Sequence, residues 1–304
     1  MNLKKYTIWF CLCLSIFGCK AQQNKELTLV KNKDENTLLW KLTGKGIQPS
    51  YLFGTMHLLC AEDVVLSKNL LSIMQQVDKI YFELDMDNIS ELMGGAMNMG
   101  MKNGVKLKDL LTPEQYEKVK VFFVKQKSML PFSMMENFKP LLMASTIMES
   151  EMPCKGGISG IEMKMMEVNK ANKVNKKEIL GLETTAAQLA IFDTIPYSEQ
   201  AKMLLQYVDS LPNTKSETAN LVAAYKEQNI KNITALINKS EPGLENYMDV
   251  MLTNRNKNWV AQLQTICKTK TIIAAVGAGH LVGNEGLLNL LKKAGYTLTP
   301  LLNK

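Results

Sequence analysis

TIIAAVGAGHLVG, residues 271–283, opens as an apolar run and ends in a glycine-rich turn with a histidine. An uninterrupted apolar run of this length, closed by glycine, reads as a strand buried on both faces, the kind found inside parallel sheets. The helix expected at 285–294 stops at Gly295. TLTPLL (297–302) then closes the chain as an edge strand, because Pro300 cannot donate to a ladder. SYLFGTMH (50–57) has the same form. Gly54-x-x-His57 and Gly277-x-x-His280 hold both histidines of the 304-residue chain.

Working outward, LLWKLTG (38–44) pairs with SYLFGTMH as a hairpin across Gly44, Gly46 and Pro49. KIYFELDMD (79–87) and KKEILGLE (176–183) are further strands. Ser67 caps a helix over 68–77, and helices follow over 161–172 and 184–192. The stretch 105–150 is helical, with Thr112-Pro113-Glu114-Gln115 as a capping-box start. Residues 197–264 read as helix broken at Pro212 and Pro242, and serve as a lid, an insertion or a dimer surface. Strand–Gly54-x-x-His57–helix–FELDMD matches strand–Gly277-x-x-His280–helix–YTLTPL. The fold class expected is α/β: a mixed central sheet, two pseudo-repeated βαβ-like halves and a large helical portion.

The N-terminus reads differently. Lys4 and Lys5 precede an apolar run too short for a bilayer anchor of about 20 residues. This is the pattern of a secretory signal. Ser15-Ile16-Phe17-Gly18-Cys19 resembles a bacterial lipobox, with Cys19 as the lipidated (palmitate-bearing) residue; an ordinary cleaved signal is the alternative. The expected organisation is a signal peptide over 1–18, a tether over 19–36 and one domain over 37–304. The expected location is the cell envelope, membrane-anchored and facing the periplasm or the surface. Net charge is +7, but the lysines are scattered without interleaved aromatics, which argues against nucleic-acid binding. Of the cysteines beyond Cys19, Cys60 and Cys154 sit in loop-like contexts and are the expected disulfide. Cys267 is expected buried.

Carboxylates cluster near the histidines. Glu83 and Asp85 are two apart late in a strand and so share a face. Glu183 ends another strand. Two imidazoles with two or three carboxylates suit Zn²⁺, Mn²⁺ or Co²⁺. Arg255 is the sole arginine, which marks a place where a planar, bidentate donor is needed. The 20 methionines are spread through every helix and read as core filler or an apolar lid rather than a soft-metal site.

YLFGTMH, FELDMD, Gly181–Thr184 with Gln188, RNKNW and VGAGHLVGNEGLLNLLKKAGY resemble the TraB/GumN family, whose animal members include the Tiki proteins. The resemblance runs from about residue 38 to the C-terminus. It implies a site between two related halves and metal-dependent proteolysis favouring Mn²⁺ or Co²⁺. The residues it carries over are His57 and His280, with Glu83, as metal ligands, and Glu83, Glu183, Arg255 and Asn256 as catalytic groups. A remaining glutamate would be general base, and Arg255 and Asn256 would stabilise an oxyanion or orient substrate. Where the family often has Gly-Leu-Asp, this chain has Gly160-Ile161-Glu162. The expected function is a metal-dependent peptidase acting on an unidentified peptide or protein. The alternative is a non-catalytic haem- or metal-binding surface lipoprotein.

Overall fold

The computed structural model describes residues 27–30, 36–126, 130–150, 152, 154–239 and 243–304. The expected signal, the lipobox Cys19 and Pro242 lie outside them. The strands are β1 (Leu39–Thr43), β2 (Ser50–Thr55), β3 (Leu59–Cys60), β4 (Lys79–Leu84), β5 (Ile158–Ser159), β6 (Glu178–Glu183), β7 (Ile272–Gly277) and β8 (Thr297–Leu301). Six of them form a mixed sheet in the order β6-β4-β7-β2-β1-β8. The pairs β6–β4, β4–β7 and β7–β2 are parallel; β1 runs antiparallel to both neighbours. The fold is therefore mixed α/β, as expected.

The apolar run that opened the reading is the sheet's centre. Ile272 to Val276 are all inaccessible to solvent. The small side chains of Ala274 and Ala275 leave room for flanking helices. Leu52, Phe53, Ile80, Phe82, Trp259, Leu263, Leu281 and Leu291 complete one core around this strand. β7 lies between β2 and β4, although it comes some 190 residues after β4 in the chain. β1 and β2 form the hairpin, with Leu39 opposite Phe53. Residues 27–30, inside the segment read as a tether, lie along the end of β8, where Leu302 N donates to Thr28 O at 3.0 Å.

The helical portion has its own core of Leu107, Val119, Phe123, Met135, Met143, Ile147 and Leu204. The helix Pro113–Lys125 starts with the expected capping box: Thr112 Oγ1 accepts from Gln115 N at 3.3 Å and Gln115 Oε1 from Thr112 N at 3.0 Å. Pro212 does not break a helix. It sits in the first turn of Leu211–Lys226, where a missing N–H costs nothing, and the break falls at Ser210. The segment 211–239 is packed on the sheet: Ala224, Tyr225 and Ile233 belong to the main core, and Tyr225 Oη donates to Gly54 O at 3.0 Å. Several methionines fill cores, as with Met135, Met143 and Met165. Met93 and Met97 are exposed.

Candidate active site

Four parallel strands end side by side, and each delivers one group. β2 leads into His57, β7 into His280, β4 carries Glu83 and β6 ends at Glu183. The C-terminal edge of parallel strands is where α/β sheets place ligands. Asp85 does not join them. β4 stops at Leu84, and Asp85 Oδ1 turns back to accept Asp87 N at 3.2 Å, which ends the strand.

The two glycine motifs serve each other. A side chain on Gly54 would press at 2.9 Å on Leu281 and 3.3 Å on Ala278, in the short helix Ala278–Leu281 that bears His280. One on Gly277 would lie 3.1 Å from Glu83 Oε1 and 3.8 Å from both His57 Nε2 and His280 Cδ2. The absent side chain at Gly277 is thus the space on which Glu83 and both imidazoles converge. Gly277 N also donates to Glu83 Oε1 at 2.8 Å.

RNKNW reads as geometry about His280. Asn256 Oδ1 lies 2.7 Å from His280 Nδ1, and Arg255 Nη1 lies 3.0 Å from His280 Nε2. Trp259, one turn on, lays its ring 4.4 Å from the imidazole. Asn256 Nδ2 donates to Glu285 O, so its oxygen faces the histidine. His280 therefore carries its proton on Nδ1 and a lone pair on Nε2, an assignment that follows from the network. Burial holds its pKa down at about 3, against the pull of Glu83, with Arg255 and His57 adding to the depression. It is neutral at physiological pH. Asn256, expected to stabilise an oxyanion or orient substrate, is buried with its side-chain oxygen against His280.

Arg255 sits at the centre. Its Nε donates to Glu183 Oε1 at 2.9 Å and Oε2 at 3.2 Å, its Nη2 to Glu83 Oε2 at 2.6 Å and its Nη1 to Met251 O at 3.0 Å. Met251 belongs to a π-helical turn, Asp249–Thr253, that leads directly into the arginine's helix. Such turns recur at functional sites. Gln188, one turn past the Thr184 cap, donates to Glu83 Oε2 at 3.2 Å. Burial works to raise the Glu83 pKa, but His280, Arg255 and His57 and the Gly277 N–H bring it to about 2. At Glu183 burial wins and the carboxyl is raised, although Arg255 pulls it down. Environments that push two carboxylates apart in this way separate a permanent anion from a proton acceptor.

Glu162 is the residue whose role the sequence left unassigned. It is buried at the start of the helix Ile161–Ala171, with Oε1 2.9 Å from His57 Nδ1. Three ties place it there. Ile161 N donates to Met56 O at 3.2 Å; β3 pairs with β5; and Cys60 and Cys154 form a disulfide. The His57 ring is crowded on its Glu162 side and open on the other, with 62 % of the side chain exposed. Desolvation lowers its pKa, but the hydrogen bond and charge of Glu162, with the charge of Glu83, outweigh this and lift it to about 9. A raised folded pKa contributes stability that is complete below the unfolded value of about 6.5 and fades as pH rises through 9. Glu162→Gln is expected to return the His57 pKa toward about 6.5 and to abolish that alkaline loss. An NMR titration of the ring carbons reads it; a pKa unchanged in the variant would show that Glu162 does not control His57.

Glu83, Glu183, Arg255, Asn256, His57 and His280 thus come together at one sheet edge. Among the described residues no three His, Cys, Asp or Glu side chains are gathered as a closed set of metal ligands. The residue types, two imidazoles beside a carboxylate, nevertheless suit a divalent cation. Each histidine has Nδ1 against an oxygen, as ligating histidines do; His57 turns Nε2 toward the Gly277 space, whereas His280 meets that space with Cδ2 and gives Nε2 to Arg255. Arg255 is the competitor, because the one lone pair of His280 Nε2 serves either the guanidinium or a cation. Haem ligation needs open apolar space at the imidazole, whereas His280 is 5 % exposed, with Trp259 and Arg255 against it.

The model of the TraB/PrgY/gumN family matches residues 38–300. The chain belongs to this family. Two curated proteins of Danio rerio are similar to it, Metalloprotease TIKI1 at 21% identity over 322 residues and Metalloprotease TIKI2 at 22% over 339 residues. Each alignment covers 88% of this chain, but only 64% of the first relative and 61% of the second. The chain therefore spans less than two thirds of either relative's length. No solved structure matches this family member.

Proposed function

We propose that the chain is a metal-dependent peptidase of the cell envelope, anchored through lipid on Cys19. The observation that carries the reading is the convergence of both histidines, each oriented through Nδ1, with Glu83 on the space above Gly277. The metalloprotease names of TIKI1 and TIKI2 support the reaction class. The signal and lipobox pattern supports the location. His57, His280 and Glu83 are the residues to hold the cation, with Mn²⁺, Co²⁺ and Zn²⁺ as candidates. A divalent cation supplies Lewis acidity to a scissile carbonyl and lowers the pKa of water.

The chain's own groups do the rest. Glu83, with its depressed pKa, stays anionic. Glu183, with its raised pKa, accepts the proton of the attacking water and passes it to the leaving amine. Arg255 holds Glu183 in place and offers positive charge near the developing oxyanion. Asn256 and Trp259 fix the plane and tautomer of His280. Glu162 does the same for His57.

His57 is protonated at neutral pH, so ligation displaces a proton. Apparent cation affinity is expected to rise about tenfold per pH unit below 9, with close to one proton released per ion at pH 7. Calorimetry in buffers of different ionisation enthalpy measures the proton. The activity itself is tested by incubating the protein with a peptide library and Mn²⁺, Co²⁺ or Zn²⁺, followed by mass spectrometry. Cleavage that chelator abolishes is the expected result. Absence of cleavage with every cation would remove the peptidase reading.

A further inference from the structure

A groove of about 660 Å³ runs from Glu183 and Arg255 along β6. β6 is the outer strand of the sheet, and its Leu180 and Gly181 are only half-buried. The opposite wall is the helix Asn254–Ile266, which presents Asn254, Asn258 and Gln262 to the groove. These three are four residues apart in turn and so lie in one row on the helix face. The row repeats every 6 Å or so, from a rise of about 1.5 Å per residue. An extended chain repeats every two residues at about 6.6 Å. Asn254 and Asn258 therefore keep step with alternate peptide units of an extended strand laid along the groove.

Each carboxamide carries both a donor and an acceptor, the complement of a peptide unit. Gln262 already makes such a bond, donating from Nε2 to the Leu182 carbonyl of β6 at 3.0 Å. Asn254 and Asn258 are exposed. The charges in the groove are one-sided. Asp85, Glu91 and Glu183 line it, no lysine does among the described residues, and Arg255 is fully engaged with Glu83, Glu183, His280 and Met251.

We infer that this groove is the substrate-binding cleft, that Asn254 and Asn258 hydrogen-bond the main chain of an extended peptide, and that the acidic lining admits neutral and basic segments over acidic ones. The inference deepens the peptidase reading and takes its direction from it, since the groove ends at Glu183. The test uses metal-free protein and a pool of N-acetylated, C-amidated octapeptides, with the side-chain ¹⁵N–¹H₂ signals of Asn254 and Asn258 as the readout. Both signals are expected to shift and saturate. The double variant Asn254→Ala/Asn258→Ala, altered only at exposed side chains, is expected to bind the pool about tenfold more weakly. A pool rich in Asp and Glu is expected to bind more weakly than one rich in Lys. Signals that stay fixed, or a double variant that binds as tightly as the wild type, overturn the cleft whether or not peptides are cleaved when Mn²⁺ is added. Shifted signals without cleavage under any cation leave the cleft standing and overturn the peptidase.

Discussion

Arg255→Ala is expected to destabilise the metal-free protein by about 3–5 kcal/mol, because it strips a buried carboxylate pair of its counter-charge. Glu83 and Glu183 are 10 % and 12 % exposed at the side chain, so solvent does little to replace the guanidinium. A loss of this size lowers Tm by on the order of 10 °C in a domain of this length. The same change frees the lone pair of His280 Nε2 and leaves the site more negative. Mn²⁺ should therefore bind the variant more tightly than the wild type and return about 2.7 kcal/mol at a hundred times its Kd. Arg255→Lys should recover little, since an ammonium cannot span Glu83, Glu183 and His280 together. Thermal melts with and without Mn²⁺ measure both effects. A variant as stable as the wild type would mean that the guanidinium is not the cation holding the metal-free site together.

Glu183→Gln separates binding from turnover. Glutamine still accepts from Arg255 Nε through its carbonyl oxygen, so the arginine keeps its place. It cannot take up a proton. Loss of a positioned general base lowers the rate by about 10²–10⁴-fold. Cation affinity should stay within a few-fold of the wild type, because Glu183 is not among the groups that converge above Gly277. Steady-state hydrolysis and cation titration of the same preparation check the pair of outcomes. Full activity in the variant would move the base elsewhere; loss of the cation would make Glu183 a ligand.

Much of this site was legible because its parts are local. Gly54-x-x-His57 and Gly277-x-x-His280 sit at strand ends that apolar runs announce. Glu83 and Glu183 end strands of their own, and the sole arginine stood out by its rarity. What the sequence concealed is long-range. Nothing in a local pattern says that β7 slides between β2 and β4, and that insertion is what puts Gly277 N on Glu83. The π turn before Arg255 leaves no residue signature, yet it supplies the carbonyl that holds Nη1. Glu162 left a trace. It follows a glycine-rich loop beside the buried positions Ile161 and Met165, and a carboxylate on an inward helix face requires a partner. Asp85 was placed on the wrong side of a strand end because a turn closed by its own carboxylate is not visible in alternation alone.

The central claim is that His57 and His280 serve one cation site. Its most direct test is the stoichiometry of Mn²⁺, Co²⁺ and Zn²⁺ on the purified protein, measured beside His57→Ala and His280→Ala with folding checked by circular dichroism. One ion per chain in the wild type, lost in both variants, is the predicted result. A folded wild type that binds none of the three ions, or either variant binding as the wild type does, would contradict it.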